Sequence, residues 1–432
     1  MQETLYIENF GPIKKASLDL RQAMVFIGPQ SSGKSTIAKL ISIMRDWRFV
    51  TQQKTFESIL IDYNIDIYNN SRAKIEYKSN NYTFEYVNNS GSLKDNKNHQ
   101  LFKLQEAFDE FEKLNPRPSL PEHSIEIDTK LNKLNDLQSQ IAGEQNIDTK
   151  EVLQKETQAL LSQIIDEQNL LKKRLDHIKN VVDAAMVYSN YSRYIPAERI
   201  LISLYSGSTL SFLNNDLPIP KSIIEFGDYF QKARSSTNQL IIPFLLYKFL
   251  HKDGEDFIIT DNFQLKLKDV SSGLQALVPL VIVVNYLAAQ ENRTYTYVIE
   301  EPEQNLYPLT QKDLVYYLTN KCLQCNDITN RASDLIITTH SPYTLTAFNN
   351  LLFAYQVDQK KSERTEEISK IIARESWVNP DEFNAYFVAD GTVRQIFNRD
   401  TGLIDENELD GASEEINGDF EQLMEIYKGI KA

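Results

Sequence analysis

The stretch Gly28–Ser35, GPQSSGKS, constrains this chain more than any other, because it fits G-x-x-x-x-G-K-[ST] in the context that gives the pattern meaning. The apolar run AMVFI (Ala23–Ile27) before it reads as a buried strand, and STIAKLISIMRDW (Ser35–Trp47) after it has apolar positions at helical spacing. Strand, glycine-rich loop and helix form the unit on which α/β nucleotide sites are built. The glycines let successive backbone N–H groups curl around phosphates at the positive end of the helix. Gly28, Pro29, Gln30, Ser31, Ser32, Gly33 and Lys34 are therefore expected to cradle a nucleotide, with Lys34 reaching the β- and γ-phosphates. Ser35 is the expected Mg²⁺ ligand, and Thr36 offers a further hydroxyl to the α-phosphate. ATP and Mg²⁺ are thus the expected cofactors.

Three later motifs suit the same chemistry. YVIEEPE ends an apolar strand on Glu300 and Glu301. A strand has period two, so the two carboxylates should point opposite ways: Glu300 to support the metal, Glu301 to act as general base toward the attacking water. Alone, the pair would equally suit two solvated acids at a strand end. IITTHSP places His340 just past another apolar strand, where it can contact the γ-phosphate or orient the water. KDVSSGLQALVPLV puts Ser271, Ser272 and Gly273 directly before an apolar helical run. A helix N-terminus carrying a hydroxyl and a glycine is an anion site, and the chain already has one for its own nucleotide. The second is expected to serve the ATP of another subunit, so that two chains enclose two ATP molecules.

Elsewhere the pattern is that of an α/β chain with an insertion. Residues 3–27 read as short strands, AKIEYKSNNYTFEYV as a hairpin turning at Ser79, Asn80 and Asn81, and DFIITDNFQLKLKDV as a second hairpin. From Leu104 to Ala185 the composition shifts to Leu, Lys, Glu, Gln and Asp without a strand signal. Leu131, Leu134 and Ile141 form one helical stripe; Leu153, Thr157, Leu160, Ile164, Leu171, Leu175, Ile178 and Val182 form another, with Gly143–Asp148 between them. This is heptad-like spacing with polar interruptions at Thr157 and Gln168, and it predicts an antiparallel hairpin arm; the alternative is two helices packed on the globule. The expected division is 1–103, an N-terminal lobe with the phosphate loop; 104–185, the helical insertion; and 186–432, a C-terminal lobe with the other motifs. Phe420, Leu423 and Tyr427 suggest a final helix.

The two cysteines, Cys322 and Cys325, exclude a disulfide framework. Their C-x-x-C spacing could be redox-active or half of a zinc site, but without a second pair it reads as two small residues on one helix. The first residues lack a secretory pattern, and the longest apolar run, Leu277–Ala289, is too short for a membrane span and contains Pro279 and Asn285. A cytoplasmic protein without a membrane partner is expected. The net charge of −14 opposes generic nucleic-acid affinity, leaving only a local groove assembled by folding.

In order and wording the motifs resemble the ABC/SMC type of P-loop ATPase. VSSGL occupies the place of that family's L-S-G-G-Q or L-S-G-G-E signature, which implies that Ser271 reaches the γ-phosphate across a dimer and Gly273 allows close approach. This chain departs from the pattern at Glu300, where Asp is usual, at Ser272 and at Leu274, which puts the hydrolysis rate in question. Gln100 and Gln105 are weak matches to the family's metal-linked glutamine. IENFGPIKKASLDL, YIPAER, LKDVSSG, EEPEQNLYP, TTHSP and YFVADGTV further resemble the OLD-like and RecF-like members of the AAA group. Among these are ATPase subunits of the Septu, PARIS and retron-associated antiphage systems, which pair with a separate nuclease or toxin.

The Toprim set of the nuclease branch, an early Glu and a later D-x-D, is not found after His340, and VADG reads as strand and turn. The resemblance thus implies an ABC-type P-loop NTPase head with an inserted short coiled-coil hairpin. It implies a homodimer or higher homo-oligomer that hydrolyses ATP and regulates a separate effector in antiphage defence. The alternatives it leaves are a DNA-repair clamp, a nearly inactive ATP-gated scaffold and, more distantly, a transporter ATPase.

Overall fold

The computed structural model describes residues 3–50, 54–96, 120–143, 146–185, 191–205, 219–290, 293–326 and 331–405, with Gly418, Leu423 and Met424 beyond them. The chain divides into two compact units, Met1–Lys97 with Ser189–Ala432, and Asn98–Tyr188.

The larger unit is built on one sheet. Its first strands are β1 (Glu3–Phe10), β2 (Ile13–Leu20) and β3 (Ala23–Ile27), followed by helix α1 (Lys34–Met44) and the antiparallel strands β4 (Lys74–Lys78), β5 (Tyr82–Val87) and β6 (Ser90–Asp95). The hairpin read from AKIEYKSNNYTFEYV is β4–β5, paired from Lys74↔Val87 to Lys78↔Thr83. After the second unit come β7 (Tyr191–Ile195) and then β12 (Tyr295–Glu300), β15 (Asp334–Thr339), β16 (Phe383–Ala389) and β17 (Thr392–Gln395); the strands numbered between these lie in smaller sheets. The order across the sheet is β6-β5-β4-β1-β2-β17-β16-β3-β15-β12-β7. From β16 to β7 all neighbours run parallel. These strands are continuous apolar runs because both faces are covered: every residue of β3 and β12 is buried. On the antiparallel side β2 alternates, burying Ile13, Ala16, Leu18 and Leu20 while Lys14, Lys15 and Ser17 stay exposed. VADG is the turn between β16 and β17, with Asp390 and Gly391 both left-handed, at φ +53° and +79°.

Parallel register aligns the strand ends. Thr339 pairs with Ile27, and Glu300 pairs with Thr338, so the segments that follow β3, β15 and β12 emerge along one edge of the sheet. In open parallel sheets this carboxyl edge is where ligands bind.

The helices α2 (Leu120–Gly143) and α3 (Ile147–Ala185) form the second unit. Leu134, Leu137, Leu160 and Ile164 make its buried core, with Leu153 partly covered. Lys130 pairs with Glu167, which together with this core makes the helices antiparallel. Thr157, a polar interruption of the stripe, is half-buried and donates its hydroxyl to Leu153 O at 2.8 Å, so it needs no partner across the seam. Leu137 joins the core although the expected stripe omitted it. The side chains of Leu131, Leu171, Leu175, Ile178 and Val182 lie outside the described residues, as do Gln100 and Gln105 and, save Leu423, the apolar positions of the expected last helix.

In the larger unit, helix α4 (Lys221–Ser236) precedes a four-stranded antiparallel sheet of β8 (Gln239–Ile242), β9 (Tyr247–Lys252), β10 (Glu255–Ile259) and β11 (Gln264–Lys266). The hairpin read from the sequence is β10–β11; β8 and β9 had not been foreseen. This sheet leads into α5 (Ser272–Ala288), whose residues from Gln275 to Val284 are all buried. Among the described residues no helix is long and apolar enough to cross a membrane.

Helix α6 (Pro308–Cys322) follows β12, and α7 (Pro342–Lys360) follows β15. Cys322 ends α6 and is buried, while Cys325 is exposed on the short strand β13 (Cys325–Asn326), which pairs with β14 (Arg331–Ala332). The two cysteines therefore do not share one helix.

Candidate functional site

The phosphate loop, the acidic pair and the histidine motif all sit on the carboxyl edge. Gly28 leaves β3 so close to β16 that a Cβ there would lie 2.0 Å from Val388 O. Pro29, Gln30, Ser31 and Ser35 are exposed, Ser32 is half-buried with its Oγ unpartnered, and Gly33, Lys34 and Thr36 are buried. Gly33 is the residue before α1, so the loop ends on the positive pole of that helix.

Lys34, only 4% exposed, donates from Nζ to Gly28 O at 2.9 Å and Pro29 O at 2.7 Å. Burial lowers its pKa, against the opposing fields of Glu301, Glu303 and Glu300. Its Nζ also stands 3.5 Å from His340 Nδ1, and His340 Nε2 stands 3.2 Å from Glu301 Oε1. These contacts fit a neutral imidazole protonated on Nε2, which donates to Glu301 while Nδ1 accepts from Lys34. Three residues far apart in sequence thus form one line across β3, β15 and β12.

Glu300 is 5% exposed. Burial raises its pKa, while the hydroxyls of Ser35 and Tyr194 and the charge of Lys39 pull it back. Its Oε1 is buried without a hydrogen-bond partner. A buried carboxylate oxygen without a partner is costly, and a cation relieves it directly. Ser35 and Glu300 therefore fit a hard divalent cation such as Mg²⁺, which prefers oxygen ligands.

Glu300 and Glu301 face different partners, and the strand pleat is only part of the reason. β12 ends at Glu300, and Glu301 turns into left-handed backbone, φ +41°. Its N–H donates to Thr338 O at 2.9 Å, and its Oε2 accepts from Gln304 Nε2 at 3.0 Å. The turn, more than the strand pleat, aims this carboxylate at His340.

Two participants were missed. Glu303 Oε1 accepts from Thr339 Oγ1 at 2.7 Å and from the His340 N–H at 2.8 Å, pinning the histidine turn to the acidic turn. The third acid of EEPE was the available signal. Arg199, 0% exposed, donates to the carbonyls of Glu300 and Glu301, both at 2.7 Å, of Ala276 at 3.0 Å and of Pro196 at 3.2 Å. It was visible only as the last residue of YIPAER.

Ser271 precedes α5 with extended backbone and makes no capping bond; both it and Ser272 are exposed. Among the described residues neither hydroxyl bonds to Lys34, Glu301 or His340. Gly273 is buried, and a Cβ there would lie 2.5 Å from Asn305 O, so its bareness serves packing against the chain's own acidic turn. Gln275 Nε2 braces the segment before the helix, donating to Lys268 O at 2.6 Å and Val270 O at 3.0 Å.

Among solved structures, the chain is similar to the Smc head domain of Pyrococcus furiosus, solved with an extended coiled coil and bound to the C-terminal domain of ScpA. Identity is 12%, TM-score 0.36, and coverage 96% of this chain and 98% of that one. The SMC head domain from Thermotoga maritima is similar at 11% identity and TM-score 0.35, covering 92% and 98%. The recombination mediator RecF with ATP is similar at 11% identity and TM-score 0.30, covering 91% and 98%. No curated protein matches the chain. The family described as AAA ATPase domain matches residues 1–345, a span that takes in the phosphate loop, the acidic turn and His340, and the chain belongs to that family.

Proposed function

We propose that this chain is a Mg²⁺-dependent ATPase that associates head to tail around two ATP molecules and controls a separate effector protein. The observation that carries the proposal is the line from Lys34 through His340 to Glu301, beside the Ser35–Glu300 pair. The loop N–H groups and Lys34 would bind the phosphates. Bound at Ser35 and Glu300, Mg²⁺ would offset the negative charge that grows on the β–γ bridging oxygen. Glu301 takes a proton from the water as its oxygen bonds to the γ-phosphorus and the bond to ADP breaks. His340 holds Glu301 through Nε2–H, and Glu303 holds the backbone of His340.

The exposed Ser271 hydroxyl, at a helix N-terminus and outside its own chain's hydrogen-bonded line, supports a signature offered to a second chain. The resemblance to antiphage ATPase subunits supports a separate nuclease or toxin as effector. A net charge of −14 favours a protein effector over DNA.

The test is solution mass with and without Mg-ATP, using Glu301→Gln to hold the nucleotide and Ser271→Arg to block the signature. ATP should double the mass of Glu301→Gln, and adding Ser271→Arg should abolish the doubling. If Ser271→Arg neither weakens association nor lowers turnover, the shared site is wrong.

A further inference from the structure

Helix α5 contains Pro279, which has no N–H to give to the carbonyl four residues back, at Gln275. That carbonyl is taken by Ser203 Oγ at 2.6 Å. The next carbonyl, at Ala276, accepts from Arg199 Nε at 3.0 Å. One short segment, Pro196 to Ser203, therefore docks on the first turns of the signature helix where the proline has freed an acceptor. The same guanidinium reaches the other way, to the carbonyls of Glu300 and Glu301. Every Arg199 hydrogen bond found goes to backbone, and among the described residues no carboxylate lies within ion-pair distance of it. Burial pulls its pKa down to about 10 against the fields of Glu303, Glu301, Glu300 and Glu198, so the group stays charged at neutral pH.

We propose that Arg199 is a positioning residue that joins the turn carrying Glu301 to the helix presenting Ser271, so that a chain's own catalytic turn and the signature it offers its partner move as one body. Resting on the head-to-tail ATPase reading above, the proposal adds a link between the two composite sites. A planar guanidinium can bond several diverging carbonyls at once; an ammonium keeps the charge without that span. Gly273 against Asn305 O is a second point of contact between the same two elements, but it transmits only compression.

The test uses mixed dimers. A Ser271→Arg chain keeps its catalytic half and blocks its signature, while a Glu301→Gln chain keeps its signature and lacks the base, so together they form one competent site. Activity recovered on mixing is the control: without it the head-to-tail reading itself fails. With it, Arg199→Lys is placed on one chain or the other. In both placements kcat should fall by about 10², the cost of roughly 1 Å of misplacement. KM, binding of a fluorescent ATP analogue and Tm should stay at control values. Loss in one placement only, or in neither, overturns the link. Should Arg199→Lys fail to fold, Ser203→Ala replaces it, removing only the bond to Gln275 O. It should lower kcat on the Glu301→Gln chain and not on the Ser271→Arg chain, and unchanged activity in both placements overturns the proposal.

Discussion

Glu301 leaves its strand in a backbone conformation that a non-glycine residue seldom takes, and five bonds hold it there: its N–H to Thr338, its carboxylate to His340 and to the Gln304 side chain, and its carbonyl to Arg199 and to the Gln304 N–H. Glu301→Gln keeps this shape and removes the base, so turnover should fall by about 10²–10⁴ while ATP still binds, as read by single-turnover kinetics. Lys34→Ala should abolish nucleotide binding in calorimetry, because it deletes the only buried cation of the loop while leaving its glycines in place. Glu300 gives a prediction about pH. Burial holds its carboxyl above the ordinary 4.5, so the folded state keeps the proton more tightly than the unfolded chain does, and ionisation costs stability as pH rises past 4.5. Without metal or nucleotide, Glu300→Gln should therefore have the higher Tm at about pH 8, and the difference should close below about pH 4.5. An equal Tm at both pH values would mean that the buried carboxylate carries no such penalty. Lys34, Ser35, Glu300, Glu301 and His340 were legible in the sequence because each sits in a short motif whose chemistry is local. Glu303 and Arg199 were not, since their partners lie 37 and 101 residues away.

At the level of elements, the longest apolar run belongs to a helix that is buried continuously from Gln275 to Val284 and interrupted by a proline whose lost bond is replaced from outside. Gly273 lies where this helix meets the acidic turn. Gly273→Ala puts a Cβ 2.5 Å from a backbone oxygen that cannot rotate away, so the helix must shift. ATPase activity should drop at least tenfold, with nucleotide affinity intact, as measured by steady-state assay and calorimetry. The paired helices follow from stripe spacing, yet which leucines face inward depended on how the two surfaces meet, and Leu137 entered the core from outside the expected register. Leu160→Ala should destabilise this small unit by about 2–5 kcal/mol, the usual result for a core leucine. Hydrogen exchange should report it as faster amide exchange over 120–185, with β3 and β15 unchanged.

For the molecule as a whole, charge sets the expected partner. At −14 the chain should show no ATP-dependent retention of duplex DNA at about 0.15 M salt in a filter or anisotropy assay. Salt-sensitive binding that requires ATP would instead favour a DNA clamp. By itself the sequence determined the α/β class, the phosphate-loop pattern and the pair of adjacent acids at the end of an apolar strand. These depend on nearest neighbours: glycines where backbone must bend around phosphate, and apolar runs where strands are buried on both faces. Only the tertiary structure decided that three strand ends line up to place His340 between Lys34 and Glu301, that Gly273 is needed by its own chain, and that Arg199 spans catalytic turn and signature helix. Those outcomes depend on the order in which strands pair and on which carbonyls a buried guanidinium can reach, and neither is encoded within any single stretch of residues.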